Sequence, residues 1–67
     1  MPRIIIQMVE GRPLEKKRAL AKSMTDAMAD TLGISKDRIS LVIHEVREDQ
    51  LAHGGTLWCD RDVKPYV

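Results

Sequence analysis

Apolar and polar positions along the chain change period twice. From Arg3 to Val9 they alternate as in a strand, with Ile4, Ile6 and Met8 on one face and Ile5, Gln7 and Val9 on the other. Apolar side chains on both faces suit a strand that is covered on two sides. Glu10-Gly11-Arg12-Pro13 then interrupts the alternation; Gly11 marks a turn and Pro13 suits the first position of a helix. From about Pro13 to Leu32 the period becomes helical, and Leu20, Met24, Ala27, Met28 and Thr31 form one apolar stripe expected to face the core. Lys16, Lys17, Lys22, Asp26 and Asp30 are left to face water. Gly33 stands where a left-handed helix cap is expected.

Ser35 to Arg38 reads as a short turn, with Ser35 capping a single helical turn. Alternation returns from Ile39 to Val46, placing Ile39, Leu41 and Ile43 on one face and Ser40, Val42 and His44 on the other. Strand, helix, strand makes a βαβ unit with parallel strands and a right-handed crossover. Arg47 to His53 is polar and reads as loop, and Gly54-Gly55 supplies a tight turn. Thr56 to Cys59 is a short strand or hairpin arm, and Asp60 to Val67 a tail that docks on a neighbour or stays free. The whole, residues 1–67, is expected to be one α+β domain.

Two strands and one helix leave a sheet face and both strand edges open, so the pattern raises the question of what covers them. A chain of 67 residues is marginal as a monomer and ordinarily needs a staple. Cys59 is the only cysteine, which rules out an intrachain disulfide, and His44, His53 and Cys59 lack a metal-ligand spacing. Oligomerisation remains, and 43% apolar residues agree with it. A net charge of +1 with interspersed signs, and Trp58 and Tyr66 as the only aromatics, argue against a nucleic-acid partner. The sequence shows neither a membrane-spanning run nor a signal peptide, so a soluble, cytoplasmic protein is expected.

Candidate chemistry begins at Met1-Pro2. The small residue at position two favours removal of Met1, which would leave Pro2 as a secondary amine on a rigid ring. An α-amino group titrates around 7.7–8.0, and burial or nearby cations lower that value further. Such an amine is a free base near neutral pH and suits general base catalysis. The alternative is a proline tolerated at the start of a strand.

Pro2 after Met1, the apolar strand, Glu10-Gly11-Arg12, Glu15-Lys16-Lys17 opening the helix, Leu32-Gly33, Val42-Ile43-His44-Glu45 and Gly54-Gly55 occur in an order and spacing that resemble the 4-oxalocrotonate tautomerase family over roughly residues 2 to 57. The resemblance implies a β-α-β subunit with a C-terminal hairpin, assembled as a homohexamer built as a trimer of dimers, and a place in aromatic catabolism. It implies that Pro2 is the base that moves a proton between oxygen and carbon of a small unsaturated carboxylate, without cofactor or metal. Arg12 matches the arginine that grips a substrate carboxylate, and Met8, Arg38, Ser40 and Leu51 are the further candidate substrate-binding residues.

Geometry adds a condition. Seven extended residues span over ~20 Å at about 3.3 Å each, so Arg12 does not easily reach its own Pro2. If both act in one site, Arg12 comes from a neighbouring subunit, and antiparallel pairing of two first strands would bring them together. The sequence departs from the family pattern at two positions. Ser40 replaces the second-strand arginine that polarises the substrate's oxo group, and Leu51 replaces a loop phenylalanine while keeping an apolar wall. Arg38, two residues before Ser40 and on the same side if the chain is extended, is the expected replacement for the missing charge. His44 is expected at a subunit contact, Trp58 at a subunit contact with a wall of the pocket as the alternative, His53 near the mouth of the site, and Cys59 buried. The expected activity is a tautomerase for a 2-hydroxymuconate-like or phenylenolpyruvate-like acid. The rivals are a dehalogenase or hydratase of a small unsaturated acid on the same fold, and a non-catalytic oligomeric module.

Overall fold

Strand β1, Arg3–Val9, and strand β2, Ser40–Val46, pair in parallel with Arg3 opposite Ser40, Ile5 opposite Val42, Gln7 opposite His44 and Val9 opposite Val46. A computed structural model describes residues 1–61, and helix α1, Leu14–Leu32, makes the crossover. The expected Asp60–Val67 tail lies outside the described residues beyond Arg61. Pro13 is the N-cap of α1 rather than its first helical residue: its φ of −65° and ψ of 153° are extended. Gly33 closes the helix in the left-handed conformation, φ 67°, with its N–H donating to the carbonyl of Ala29 at 2.9 Å.

Neighbouring residues of paired strands share a face. Ile4, Ile6 and Met8 therefore lie with Leu41, Ile43 and Glu45 on the helix side, and Lys17 of α1 reaches across to Glu45 at 2.7 Å. Arg3, Ile5, Gln7, Ser40, Val42 and His44 lie on the other side. No described element covers that side, and Ile5 is 58% exposed. Among the described residues neither β1 nor β2 has a second strand neighbour.

Part of the expected helix stripe fails to pack. Leu20 and Met28 are half-buried, but Met24, Ala27 and Thr31 are exposed, while Ala29 is buried and Ala21 and Thr25 are half-buried. A two-stranded sheet is narrower than the helix's apolar arc, so it takes one flank of that arc. The other flank, Met24, Ala27, Met28, Thr31 and Leu32, forms with Arg3 and Ile4 an open groove of about 470 Å³. Ile4, Ala29 and Trp58 are the only buried apolar residues among those described.

Ser35 caps a 3₁₀ turn at Lys36–Arg38, its Oγ accepting from the Asp37 N–H at 3.4 Å. The Asp26 carboxylate ties that turn to the helix, at 2.8 Å from Lys22 Nζ and 2.7 Å from Lys36 Nζ. Hydrogen bonds from Lys22 and Lys36 hold the Asp26 carboxyl down at about 2, and Asp26 in turn raises the Lys36 ammonium.

Arg47 to His53 is not plain loop. A 3₁₀ turn at Glu48–Gln50 leads to β3, Ala52–His53, which pairs antiparallel with β4, Thr56–Leu57. Gly54 and Gly55 join them at φ 58° and 85°, values that a side chain at either position would strain. A last 3₁₀ turn, Trp58–Asp60, folds Trp58 back so that its N–H donates to the Leu51 carbonyl at 2.7 Å.

Candidate active site

The candidate residues separate into two groups, one at each end of β1. At the amino-terminal end, half-buried Pro2 is fixed to the start of β2: its carbonyl accepts from the Ser40 N–H at 3.2 Å. Beside it the Arg3 guanidinium donates through Nε to Ser40 Oγ at 3.4 Å. Met1 ahead of Pro2 is 96% exposed.

Arg38 does not sit as its spacing suggests. A position beside Ser40 requires an extended chain, whereas Arg38 ends the 3₁₀ turn and only Ile39 onward is extended. Alternation across Ser40 therefore does not apply to it. The cation that does meet Ser40 is Arg3, from the other strand. Sequence spacing misses it because strand register is a tertiary property; the one available signal is that each is the first residue of its strand.

At the carboxyl-terminal end, the Glu10 N–H donates to the Val46 carbonyl at 2.9 Å and closes the strand pair. Gly11, at φ 120°, turns the chain, and half-buried Arg12 folds back to donate through Nη1 to the Val9 carbonyl at 3.5 Å. Arg12 lines a cavity of about 380 Å³ with Met8, Val9, Glu48, Leu51 and Trp58. Leu51 is the expected apolar wall. Trp58, expected at a subunit contact, is instead 3% exposed within its own chain and closes this cavity. His53 lies behind it, ring centroids 6.3 Å apart, and Arg61 stacks at 5.9 Å from the Trp58 ring while donating to the His53 carbonyl at 3.2 Å.

A larger and more open depression of about 600 Å³ adjoins this end, lined by Glu10, Arg47, Glu48, Asp49 and Cys59. Its arginine is already engaged by Asp49 at 3.1 Å, and that carboxylate raises the Arg47 guanidinium. It touches neither Pro2 nor Arg12. The narrower apolar cavity is the better candidate because it joins a cation to an apolar wall. Cys59 is exposed rather than buried, and local desolvation and the adjacent Asp60 carboxylate push its thiol up. His44 is exposed on the uncovered sheet side, opposite Gln7. Among the described residues no cluster of His, Cys, Asp and Glu is arranged to hold a metal ion, and no helix is long and apolar enough to cross a membrane.

The sequence model described as tautomerase enzyme matches residues 2–61. The chain belongs to the tautomerase family. It is 37% identical to the 2-hydroxymuconate tautomerase of Bacillus subtilis over 62 residues, 92% of this chain and 100% of that one. A solved 4-oxalocrotonate tautomerase homologue superposes with a TM-score of 0.87 at 36% identity, covering 94% of this chain and 100% of its own. The solved heterohexamer 4-oxalocrotonate tautomerase of Chloroflexus aurantiacus gives a TM-score of 0.85 at 30% identity, covering 90% and 97%. The tautomerase fold thus accounts for β1, α1, β2 and the hairpin together.

Proposed function

We propose that the chain is a cofactor-independent tautomerase of a small unsaturated 2-hydroxy or 2-oxo acid. Its base is the Pro2 amine after loss of Met1, and its sites are completed between subunits of a homo-oligomer. The observation that carries this is the separation of Pro2 from Arg12. One chain holds two half-sites, a nitrogen end and an arginine-lined apolar cavity, at opposite ends of a seven-residue strand. Antiparallel pairing of two β1 edges, which have no other strand neighbour among the described residues, sets each Pro2 against the Arg12 cavity of the second copy. The uncovered sheet side and the hexameric Chloroflexus relative support further assembly of three such dimers into a hexamer. The family match starts at Pro2, and the exposure of Met1 leaves it open to removal.

The chemistry follows from the groups. The neutral Pro2 nitrogen takes the hydroxyl proton of a 2-hydroxydienoate. The oxygen lone pair becomes the C=O bond, the conjugated pairs shift along the chain, and the distant carbon takes the proton back from the Pro2 ammonium. No electrons are gained or lost overall. Arg12 of the second copy binds a carboxylate bidentately, its positive charge favours the neutral amine, and Met8 and Leu51 exclude water from the diene. Arg38 and Ser40 lie at the nitrogen end, with Arg38 available to a negatively charged substrate from its exposed turn.

Three measurements test this. Intact mass reports whether Met1 is removed; a mass that includes it makes the Pro2 nitrogen an amide and sinks the mechanism. Assays with 2-hydroxymuconate and phenylenolpyruvate report tautomerisation, and halide release from a haloacrylate would favour the dehalogenase instead. Refolding Pro2→Ala and Arg12→Ala chains together at equal concentration tests the shared site. Random pairing restores about a quarter of the sites if the two residues come from different chains, and none if they come from one.

A further inference from the structure

We propose that Arg3 is a substrate-binding residue, held in place by Ser40, that grips the carboxylate next to the carbon whose oxygen Pro2 deprotonates. This rests on Pro2 acting as the base. In a 2-hydroxy or 2-oxo acid that carboxylate is one bond away from the reacting carbon, so a cation serving it must stand beside the base. Arg3 is the residue after Pro2, about 3.8 Å away between Cα atoms.

Three observations single it out. Its Nε is engaged by Ser40 Oγ at 3.4 Å across the strand pair, which fixes the plane of the guanidinium. Its terminal nitrogens carry no bond to a described residue, so the end-on pair of donors remains for a carboxylate. No carboxylate among the described residues pairs with it, whereas Lys36, in the turn before β2, is bound to Asp26 at 2.7 Å. The serine thus does not leave this end without charge. It accepts a cation from the neighbouring strand, and it orients that cation where a lone surface arginine would sweep many rotamers.

The test uses the full chain with Met1 removed and the two substrates 2-hydroxymuconate and phenylenolpyruvate, which share the proximal carboxylate. Arg3→Ala lowers kcat/KM for both about tenfold or more, chiefly through KM, below the effect of removing a fully enclosed oxyanion donor. Arg3→Lys recovers part of the loss because charge returns without the fork, and Ser40→Ala gives a smaller rise in KM in the same direction. Arg3 and Ser40 lie on the sheet side that assembly would cover, so size-exclusion elution and circular dichroism of all three are compared with the parent. The role of Arg3 requires the rise in KM in variants that assemble as the parent does, and a rise found only where assembly is lost overturns it. Unchanged kcat and KM in Arg3→Ala, beside an inactive Pro2→Ala, overturns the role of Arg3 and leaves the base in place. A fully active Pro2→Ala overturns both.

Discussion

The backbone N–H of Ser40 donates to the carbonyl of Pro2 at 3.2 Å, so the first residue of β2 fixes the residue whose nitrogen is the candidate base. The bond uses the carbonyl and leaves the nitrogen side of Pro2 uninvolved.

Pro2→Ala should therefore keep the strand anchor and lose the chemistry. The carbonyl persists in alanine, while the rigid secondary amine does not. The expected loss in kcat is about 10²-fold or more, within the range of a positioned general base. Steady-state kinetics check it, alongside a melting curve that stays close to the parent's.

Asp26 should make the link between α1 and the following turn sensitive to acid. Its carboxyl sits at about 2, below the usual carboxylate value near 3.9, because Lys22 and Lys36 donate to it. A depressed carboxyl contributes stability that is fully present above the unfolded value and is lost as pH falls through the folded one. The melting-temperature gap between the parent and Asp26→Asn should hold at pH 6 and close between about 4 and 2. Added salt should narrow the gap at pH 6, since both lysines are exposed. A gap that widens in acid would contradict the assignment.

Trp58 should matter for stability and for the site at once. It is 3% exposed and carries the hairpin's contact with Leu51, His53 and Arg61. Trp58→Ala should cost about 3–5 kcal/mol in urea denaturation at fixed protein concentration. Trp58→Phe should retain most of the stability but open the roughly 380 Å³ cavity, raising KM for the substrate.

Cys59 should alkylate slowly for an exposed thiol. Desolvation first and the Asp60 carboxylate second raise it, and its Sγ–H donates to Asp60 Oδ1 at 3.8 Å. At pH 8 the thiolate fraction is lower than in a free peptide thiol. Iodoacetamide labelling followed by mass spectrometry should run behind a cysteine peptide, and Asp60→Asn should recover part of the rate. Parity with the peptide would refute the shift.

Local structure was legible where one residue's own chemistry decides it. Gly33 as a left-handed cap, Ser35 as a turn cap and Gly54-Gly55 as a hairpin turn all follow from φ preference or side-chain hydrogen bonding, and all are observed. The strand over Arg3–Val9 and its two faces follow from a period of two. Where the outcome depended on what lies opposite, the pattern misled. Met24, Ala27 and Thr31 share the helical period of Leu20 and Met28, yet they stay exposed along an open groove while Leu20 and Met28 are half-buried. Trp58 is as apolar as an interface residue and is buried by its own hairpin, while Cys59 next to it is exposed because a 3₁₀ turn directs the two apart.

The candidate site divides in the same way. Sequence alone determined the residue types, a proline placed to become an amine and an arginine placed beyond the far end of its strand, because covalent spacing sets how far apart they must be. Only the tertiary structure decided that Arg3 rather than Arg38 meets Ser40. It also decided that Arg12, Leu51 and Trp58 enclose one cavity. The reason is register: parallel pairing sets the first residue of β1 against the first of β2, and thirty-seven positions of chain separate partners that one hydrogen bond joins.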